Sequence, residues 1–218
     1  MREIIKKFGF NLVVSDKISL NRFPKDLRNK TCRRIDYPEK LPKVSVIIVF
    51  HNEGIGPLLR TFHSVINRSP KELLDEIIVV DDGSNNEHLG KPLENYIKRW
   101  NGVVKLFRNE ERKGLILSKN KGARLAKGEV LVFLDAHCEV GLNWLPPLLA
   151  PISRNDRLAT VPIVDIINGR NFGFEPQTGG DQFGRAQVFV NLLSKSTVSI
   201  NFVGWLGMEF IMASLPPS

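Results

Sequence analysis

The sequence has little cysteine: Cys32 and Cys138 are the two cysteines among its 218 residues. Two cysteines form no metal-binding motif and do not set the redox compartment. The chain also has no Lys/Arg block of the nucleic-acid type, no zinc-finger spacing and no aromatic RNP-like string. The net charge of +8 favours an anionic partner, and these absences argue against nucleic acid as that partner.

Two glycine-rich phosphate-binding motifs are missing as well. The first apolar run, at 44–50, continues into "HNEGIG" rather than G-x-G-x-x-G, and the sequence contains no P-loop. A dinucleotide-binding fold and a P-loop enzyme are therefore disfavoured. Without a glycine nest, a bound phosphate would need a metal ion or cationic side chains.

Long apolar stretches are also rare. The N-terminal "MREIIKKFGFNLVVSDKIS" is too interrupted for a secretory signal. The stretch from 198 to 215 is apolar, but Asn201 and Glu209 interrupt it. A carboxylate at the centre of a bilayer costs about 2 to 3 kcal/mol, so we predict no membrane span in this chain.

What the chain does contain is an alternation of apolar runs and amphipathic segments. With 42% hydrophobic and 25% charged residues, it can bury the core of one large domain. The alternation predicts an α/β fold, with a Rossmann-like, mostly parallel sheet and helices on both faces. The predicted strands are 44–50, 76–82, 103–109 and 129–136, and the predicted helices are 56–69, 87–101 and 118–128.

Polar residues follow each of these strands. Ligands of open α/β sheets bind beyond the carboxyl ends of the strands, so these segments are expected to border one crevice. For any single segment a structural interpretation is equally good, because every strand must enter a loop. The four segments are "FHNE" (50–53), "DDGS" (81–84), "RNEERKG" (108–114) and "DAHCE" (135–139).

The last of these segments contains a candidate metal site. Strand side chains alternate faces, so Asp135 and His137 are expected to point the same way. One hard oxygen and one imidazole suit Mn²⁺ better than a zinc cage, which would need more ligands. The alternative is a structural hydrogen bond between the carboxylate and a neighbouring histidine.

Several motifs together resemble a known enzyme family. "VSVIIVFHNEG", "LLRTFHSVINRSP", "EIIVVDDGS", "RNEERKGLI" and "VLVFLDAHCEV" are similar to the first half of the catalytic domain of the polypeptide N-acetylgalactosaminyltransferases. The resemblance covers about residues 8–186, and "GFNLVVSDKISLNR" and "VPIVDIING" are most similar to the glycopeptide-preferring type 7 branch. It implies a GT-A nucleotide-diphospho-sugar transferase fold, and a retaining transfer of GalNAc from UDP-GalNAc to Ser or Thr of a peptide or glycopeptide.

The resemblance also implies roles for individual residues. Asp135 and His137 match the D-x-H motif that coordinates Mn²⁺ against the UDP diphosphate. The other matched positions are implied to bind the donor: Ala136 within D-x-H, Asp82 at the nucleoside, Arg112 before the glycine of R-x-G-L-I, and His51, Asn52 and Glu53 along the uridine pocket.

The sequence departs from the family in two ways. Leu117 and Lys119 stand where "GLIRAR" has arginines, and lysine lacks the planar fork for a bidentate contact. The resemblance also ends near Gln187, before the family's third metal ligand, its W-G-G-E-N segment, the disulfide partner of Cys32 and its lectin domain.

Three regions and a Golgi location follow from the resemblance. We expect a stem-derived arm at 1–43, a truncated GT-A donor-binding half-domain at 44–186 and a divergent tail at 187–218. We also expect this fragment to be inactive by itself. Two alternatives remain: a non-catalytic UDP-binding or protein-interaction module, and an inverting GT-A enzyme, which would normally show D-x-D and use a carboxylate base.

Overall fold

The computed structural model describes residues 8–23, 26, 32–162 and 164–175, together with the backbone of two strands at 187–190 and 211–214. The side chain of Cys32 and most of the apolar stretch at 198–215 lie outside this description. Within the described residues, no helix is long and apolar enough to cross a membrane.

The centre of the protein is a seven-stranded sheet with the order β3-β2-β1-β4-β9-β5-β8. The first four strands in this order pair in parallel, which confirms the predicted parallel sheet. Strand β9 runs antiparallel between β4 and β5, and β8 pairs antiparallel with β5. The strands are β1 (Val44–Phe50), β2 (Leu74–Asp81), β3 (Val104–Arg108), β4 (Val130–Asp135), β5 (Leu158–Val161), β8 (Gln187–Val190) and β9 (Ile211–Ser214).

Helices cover both faces of this sheet, as predicted. A short hairpin, β6 (Ile166–Ile167) with β7 (Phe174–Glu175), lies outside the main sheet. Among the described residues, 3₁₀ turns lie at Cys32–Arg34, Glu87–Leu89 and Lys98–Trp100. The α-helices are α1 (Leu12–Ser15), α2 (Ile55–Arg68), α3 (Lys91–Ile97), α4 (Leu115–Leu125) and α5 (Leu145–Arg154).

The alternation of side chains along the central strands builds two cores. Val46 and Ile48 of β1 face a large core that α2, α3 and α5 complete, whereas Ile47 faces a smaller core closed by Ala123 of α4. Apart from Ser45, strand β1 is therefore apolar, because it is covered on both sides.

Helix boundaries differ from the predicted ones at α3, which spans Lys91–Ile97 within the predicted 87–101, and at α4. This helix begins at Leu115 and ends at Leu125, so Gly128 does not end it. Gly128 instead lies where the chain passes Ser45, and a Cβ at Gly128 would be 2.4 Å from the Ser45 amide nitrogen. The glycine is required there by close packing of two backbones.

Helix α5 has no counterpart among the predicted helices. Pro146 lies in its first turn, where a missing amide proton costs nothing, and Pro151 lies further inside the helix. Leu145, Leu148 and Leu149 form its buried side. Packing against the sheet therefore sustains a helix whose proline content argues against one.

Candidate functional site

The strand register brings the predicted polar segments to one edge of the sheet, including the segment after β3, whose last residue Arg108 pairs with Asp81. Strand β1 lies between β2 and β4, with Phe50 paired to Asp81 and Val49 paired to Asp135. The chain therefore leaves all three strands at nearly the same level. The segments beginning at His51, Asp82 and Ala136 are neighbours across the sheet, as expected for the carboxyl ends of parallel strands.

Asp82 connects this edge to the loop that precedes α4. Its buried carboxylate accepts hydrogen bonds from the amides of Lys113 and Gly114 at 2.8 and 2.9 Å, and from the side chains of Asn109 and Ser118 at 2.8 and 2.9 Å. Burial would raise the pKa of Asp82, but these hydrogen bonds together lower it below the usual value. Asp82 is thus an ionised anchor for residues 109–118.

Arg112 lies in the loop that Asp82 anchors. Its backbone packs against Gly83, where a Cβ would lie 2.7 Å from the Arg112 amide nitrogen. Gly83 has φ +70°, a conformation that suits glycine. The Arg112 side chain is exposed, so a positive charge borders the strand edge without being buried in it.

His51 and Asn52 join the end of β1 to the loop after β2. His51 Nδ1 lies 2.8 Å from the carbonyl oxygen of Asp82, and the Asn52 amide donates to Ser84 Oγ at 2.8 Å. Asn52 Oδ1 in turn accepts from the amide of Asn85 at 2.9 Å. Asn52 adopts φ +50°, which asparagine tolerates better than most residues. These contacts fix the loop beside β1.

The D-x-H segment has a different local structure from the one predicted. Strand β4 ends at Asp135, and Ala136 and His137 form a turn, so strand alternation does not orient the two ligand candidates. Ala136 is buried, and its carbonyl oxygen accepts from Thr61 Oγ1 of α2 at 2.9 Å. The hydrogen bond from Thr61 of α2 therefore holds the turn that carries His137.

His137 lies at the exposed end of this turn and is paired with Glu53. Its Nδ1 is 3.0 Å from Glu53 Oε2, and its side chain is 41% exposed. Desolvation lowers the pKa of His137, but the hydrogen bond and charge of Glu53 and the nearby charge of Asp135 together raise it above the usual value. Asp135, at the end of β4, and His137, in the turn that follows it, are thus two residues apart on the chain at the same edge of the sheet.

The donor set determines what this turn could bind. Across the described residues, no group of three or more His, Cys, Asp and Glu side chains is arranged to hold a metal ion. Cys138 is buried in an environment that raises the pKa of its thiol to about 12, so it is not a thiolate ligand. Asp135 and His137 would contribute a carboxylate and an imidazole, which fits a cation that takes its other ligands from phosphate and water.

An ion cluster beside the site was not predicted from the sequence. Glu139 accepts from Arg22 at 2.7 Å and from Arg60 at 3.2 Å, and its side chain is 4% exposed. Arg60 also donates to the carbonyl of Ser15 at 2.9 Å. The sequence carried no signal for it, because Arg60 lies on the side of the predicted helix opposite Phe62, where a charged residue is ordinarily exposed. Residues 15–22 are thus tied to the segment that follows the D-x-H turn.

Fold and site together define a class of enzyme. A parallel α/β sheet whose strand ends carry a D-x-H turn is the arrangement of a GT-A glycosyltransferase. The family model described as glycosyl transferase family 2 matches residues 45–206, and the chain belongs to that family. The match extends past Gln187, where the recognised motifs end.

The relatives place the chain more closely within this class. It is 55% identical over 184 residues to N-acetylgalactosaminyltransferase 7 of Homo sapiens, which is 84% of this chain and 28% of the relative. It is 52% identical over 171 residues to polypeptide N-acetylgalactosaminyltransferase 10 of Homo sapiens, which is 78% of this chain and 28% of that relative.

A solved structure agrees with this placement. The crystal structure of GalNAc-T7 with UDP, GalNAc and Mn²⁺ matches 84% of this chain and 34% of its own chain, with a TM-score of 0.81 and 54% identity. These matches confirm the resemblance to the N-acetylgalactosaminyltransferases and the GT-A fold. The chain spans less than a third of the length of the two relatives named above.

Proposed function

We propose that this chain is the donor-binding part of a polypeptide N-acetylgalactosaminyltransferase that binds UDP-GalNAc together with Mn²⁺. The observation that carries the proposal is the set of matched motifs at one sheet edge, on a chain 55% identical to N-acetylgalactosaminyltransferase 7. The acceptor is a Ser- or Thr-containing peptide or glycopeptide, and the whole protein acts in the Golgi.

Two sets of residues are assigned to different parts of the donor. Asp135 and His137 would hold Mn²⁺, which would offset the negative charge of the diphosphate so that UDP can leave. Ala136 contacts the donor from within the turn. The residues assigned to the nucleotide are His51, Asn52, Glu53, Asp82 and Arg112.

The local geometry supports a rigid nucleotide pocket. The Asp82 carboxylate and the Asn52 side-chain oxygen accept hydrogen bonds from neighbouring backbone amides. These contacts hold the loops at 83–86 and 109–114 in place. Exposed Arg112 then offers a guanidinium to an anionic donor without the cost of leaving water. Preformed loops of this kind lower the entropy lost when a ligand binds.

A polypeptide of these 218 residues should bind UDP weakly and transfer no sugar. Two side-chain metal ligands leave most of the coordination shell to diphosphate and water. Transfer also requires the acceptor hydroxyl to be held beside the donor, and such positioning supplies roughly 7 to 11 kcal/mol of barrier lowering. The matched residues supply the donor side of this arrangement.

Calorimetry with UDP, with and without Mn²⁺, tests the donor site. Binding that requires Mn²⁺ and is lost in Asp135→Ala supports the proposal, whereas binding unaffected by Asp135→Ala contradicts the metal assignment. Incubation with UDP-GalNAc and a GalNAc-bearing mucin peptide, followed by mass spectrometry, tests transfer. Sugar transfer above the Asp135→Ala background would contradict the expected inactivity of these residues alone.

A further inference from the structure

The side chain of Glu53 is fixed by contacts at both of its oxygens. Oε1 accepts the amide of Gly54 at 2.9 Å, at the residue that precedes α2. Oε2 lies 3.0 Å from Nδ1 of His137, and the Glu53 side chain is 14% exposed. Glu53 therefore joins the start of α2 to the turn after β4.

This contact determines which nitrogen of His137 carries the proton. A neutral imidazole has one donor nitrogen and one acceptor nitrogen, and an ionised carboxylate can only accept. When the ring is neutral, the proton must lie on Nδ1 and point at Glu53. Nε2 then carries the free lone pair.

The orientation of the ring is restricted from a second direction. The ring of Phe10 lies 6.3 Å from that of His137, tilted by 55°, and Phe10 itself packs edge-on against Phe172 at 5.7 Å. Residue 10 belongs to the segment before the sheet, which the Asn11 amide ties to Gly169 at 2.7 Å. Glu53 sets the tautomer, and this aromatic group limits rotation of the ring.

We infer that Glu53 is a positioning residue for the metal ligand His137. Histidines that bind a metal through one nitrogen commonly donate the other N–H to a carboxylate, which fixes the tautomer and raises the basicity of the ligand. The inference rests on the proposed function, because it requires His137 to bind Mn²⁺. It also changes the predicted role of Glu53, whose two oxygens are directed at Gly54 and His137.

The tautomer can be measured without metal or substrate. Long-range ¹H–¹⁵N spectra of the metal-free chain, at a pH where the ring is neutral, should show His137 protonated at Nδ1. In Glu53→Ala the ring should shift toward the Nε2–H form, which is the more stable tautomer of free histidine. An unchanged tautomer in Glu53→Ala would overturn the inference.

Metal binding gives the second measurement. In the presence of UDP, Mn²⁺ titrations followed by electron paramagnetic resonance should show affinity lowered by about 10-fold or more in Glu53→Ala. Glu53→Gln keeps an acceptor oxygen for Nδ1–H, so its affinity should fall between those of Glu53→Ala and the parent. Glu94→Gln, which alters a half-exposed partner of Arg108, should bind like the parent.

The outcomes separate this inference from the proposed function. If the parent chain shows no Mn²⁺-dependent UDP binding, the proposed function fails and the inference fails with it. If the parent binds and Glu53→Ala binds equally well, the inference alone is overturned. Circular dichroism of each variant must match the parent. If Glu53→Ala is misfolded, Glu53→Gln decides: an Mn²⁺ affinity below that of the parent supports the inference, and an Mn²⁺ affinity equal to that of the parent overturns it.

Discussion

Arg60 and Glu139 form an ion pair inside the protein, with Nε of Arg60 3.2 Å from Oε1 of Glu139. Their side chains are 1% and 4% exposed. Arg22 shares the same carboxylate and also donates to the carbonyl of Phe172 at 2.6 Å. The buried carboxylate of Glu139 thus pairs with two guanidinium groups. It connects the N-terminal arm (1–43), helix α2 and the segment after β4.

Glu139→Gln should strongly destabilise the protein. The substitution leaves the buried Arg60 without its carboxylate, and removing one partner of a buried ion pair costs about 3 to 5 kcal/mol. Urea unfolding followed by circular dichroism measures the change. Glu94→Gln breaks a half-exposed pair with Arg108 and should cost less than about 1 kcal/mol. Equal stability of the two variants would show that the buried cluster does not support the fold.

Asp82 should make the protein more stable above its unfolded pKa than below it. The folded pKa of Asp82 is lowered, so its contribution is complete above about pH 4, the ordinary value for an aspartate, and is lost as the pH falls through the folded value. Asp82→Asn removes this dependence and should cost about 2 kcal/mol at pH 7, because a neutral amide replaces an ionised acceptor.

Unfolding free energies of the parent and Asp82→Asn should therefore converge as the pH decreases from 6 to 2. Glu76, whose pKa is also lowered although burial opposes it, titrates in the same range in both proteins, so the difference between them isolates Asp82. A constant difference across this range would contradict the assignment of an ionised Asp82 as the anchor of the 109–118 loop.

Gly83→Ala should weaken both folding and UDP binding. A Cβ at Gly83 would meet the backbone of Arg112 at 2.7 Å, so the donor-binding loop must move, and φ +70° adds strain of about 1 kcal/mol or more. Gly102→Ala is the matched control, since Gly102 has φ +85° but nothing within 4 Å of the added methyl group. It should lose similar conformational energy and keep full UDP affinity. Equal UDP affinity in the two variants would show that Gly83 does not influence the donor site.

The central strands could be predicted from the sequence because their apolar runs are continuous. Strands β1 to β4 lie within two residues of the predicted bounds, and β1, β2 and β4 each contain an apolar run of at least four residues, because both faces of these strands are buried. The start of α4 was missed because Leu115, Ile116 and Leu117 are exposed and break the helical periodicity. Antiparallel β9 depends on pairing with β4 and β5, which is a relationship between distant segments.

The segments that form the site could be predicted from the sequence, but the contacts between their residues could not. Strand ends and motif order indicated which residues would meet at one edge. The pairing of Glu53 with His137, however, joins residues 84 positions apart, and it depends on how a turn after β4 faces the start of α2. Strand spacing could not predict the pairing of His137 with Glu53, because the strand ends at Asp135 and His137 lies in the turn that follows.

His63 should make stability depend on pH near neutrality. It lies between α2 and α3, where its Nε2 is 2.8 Å from the Tyr96 hydroxyl and its ring packs on Trp100 at 5.2 Å. Burial, and then the charge of Arg99, lower the pKa of His63 below its usual value. The unfolded chain therefore binds the proton more readily than the folded protein does. The contribution of His63 to stability is complete above about pH 6.5 and is lost as the pH falls through the folded pKa.

Unfolding measured between pH 7.5 and 5 in the parent, His63→Gln and His88→Gln tests this dependence. The parent and His88→Gln, whose histidine is exposed, should lose stability in parallel as the pH falls. His63→Gln should lose less, with a slope that differs by no more than about 1.4 kcal/mol per pH unit, the limit for one proton. The remaining histidines are common to the compared proteins, so their titration cancels. A slope in His63→Gln equal to that of the parent would mean that the contact between α2 and α3 tolerates a charged imidazole.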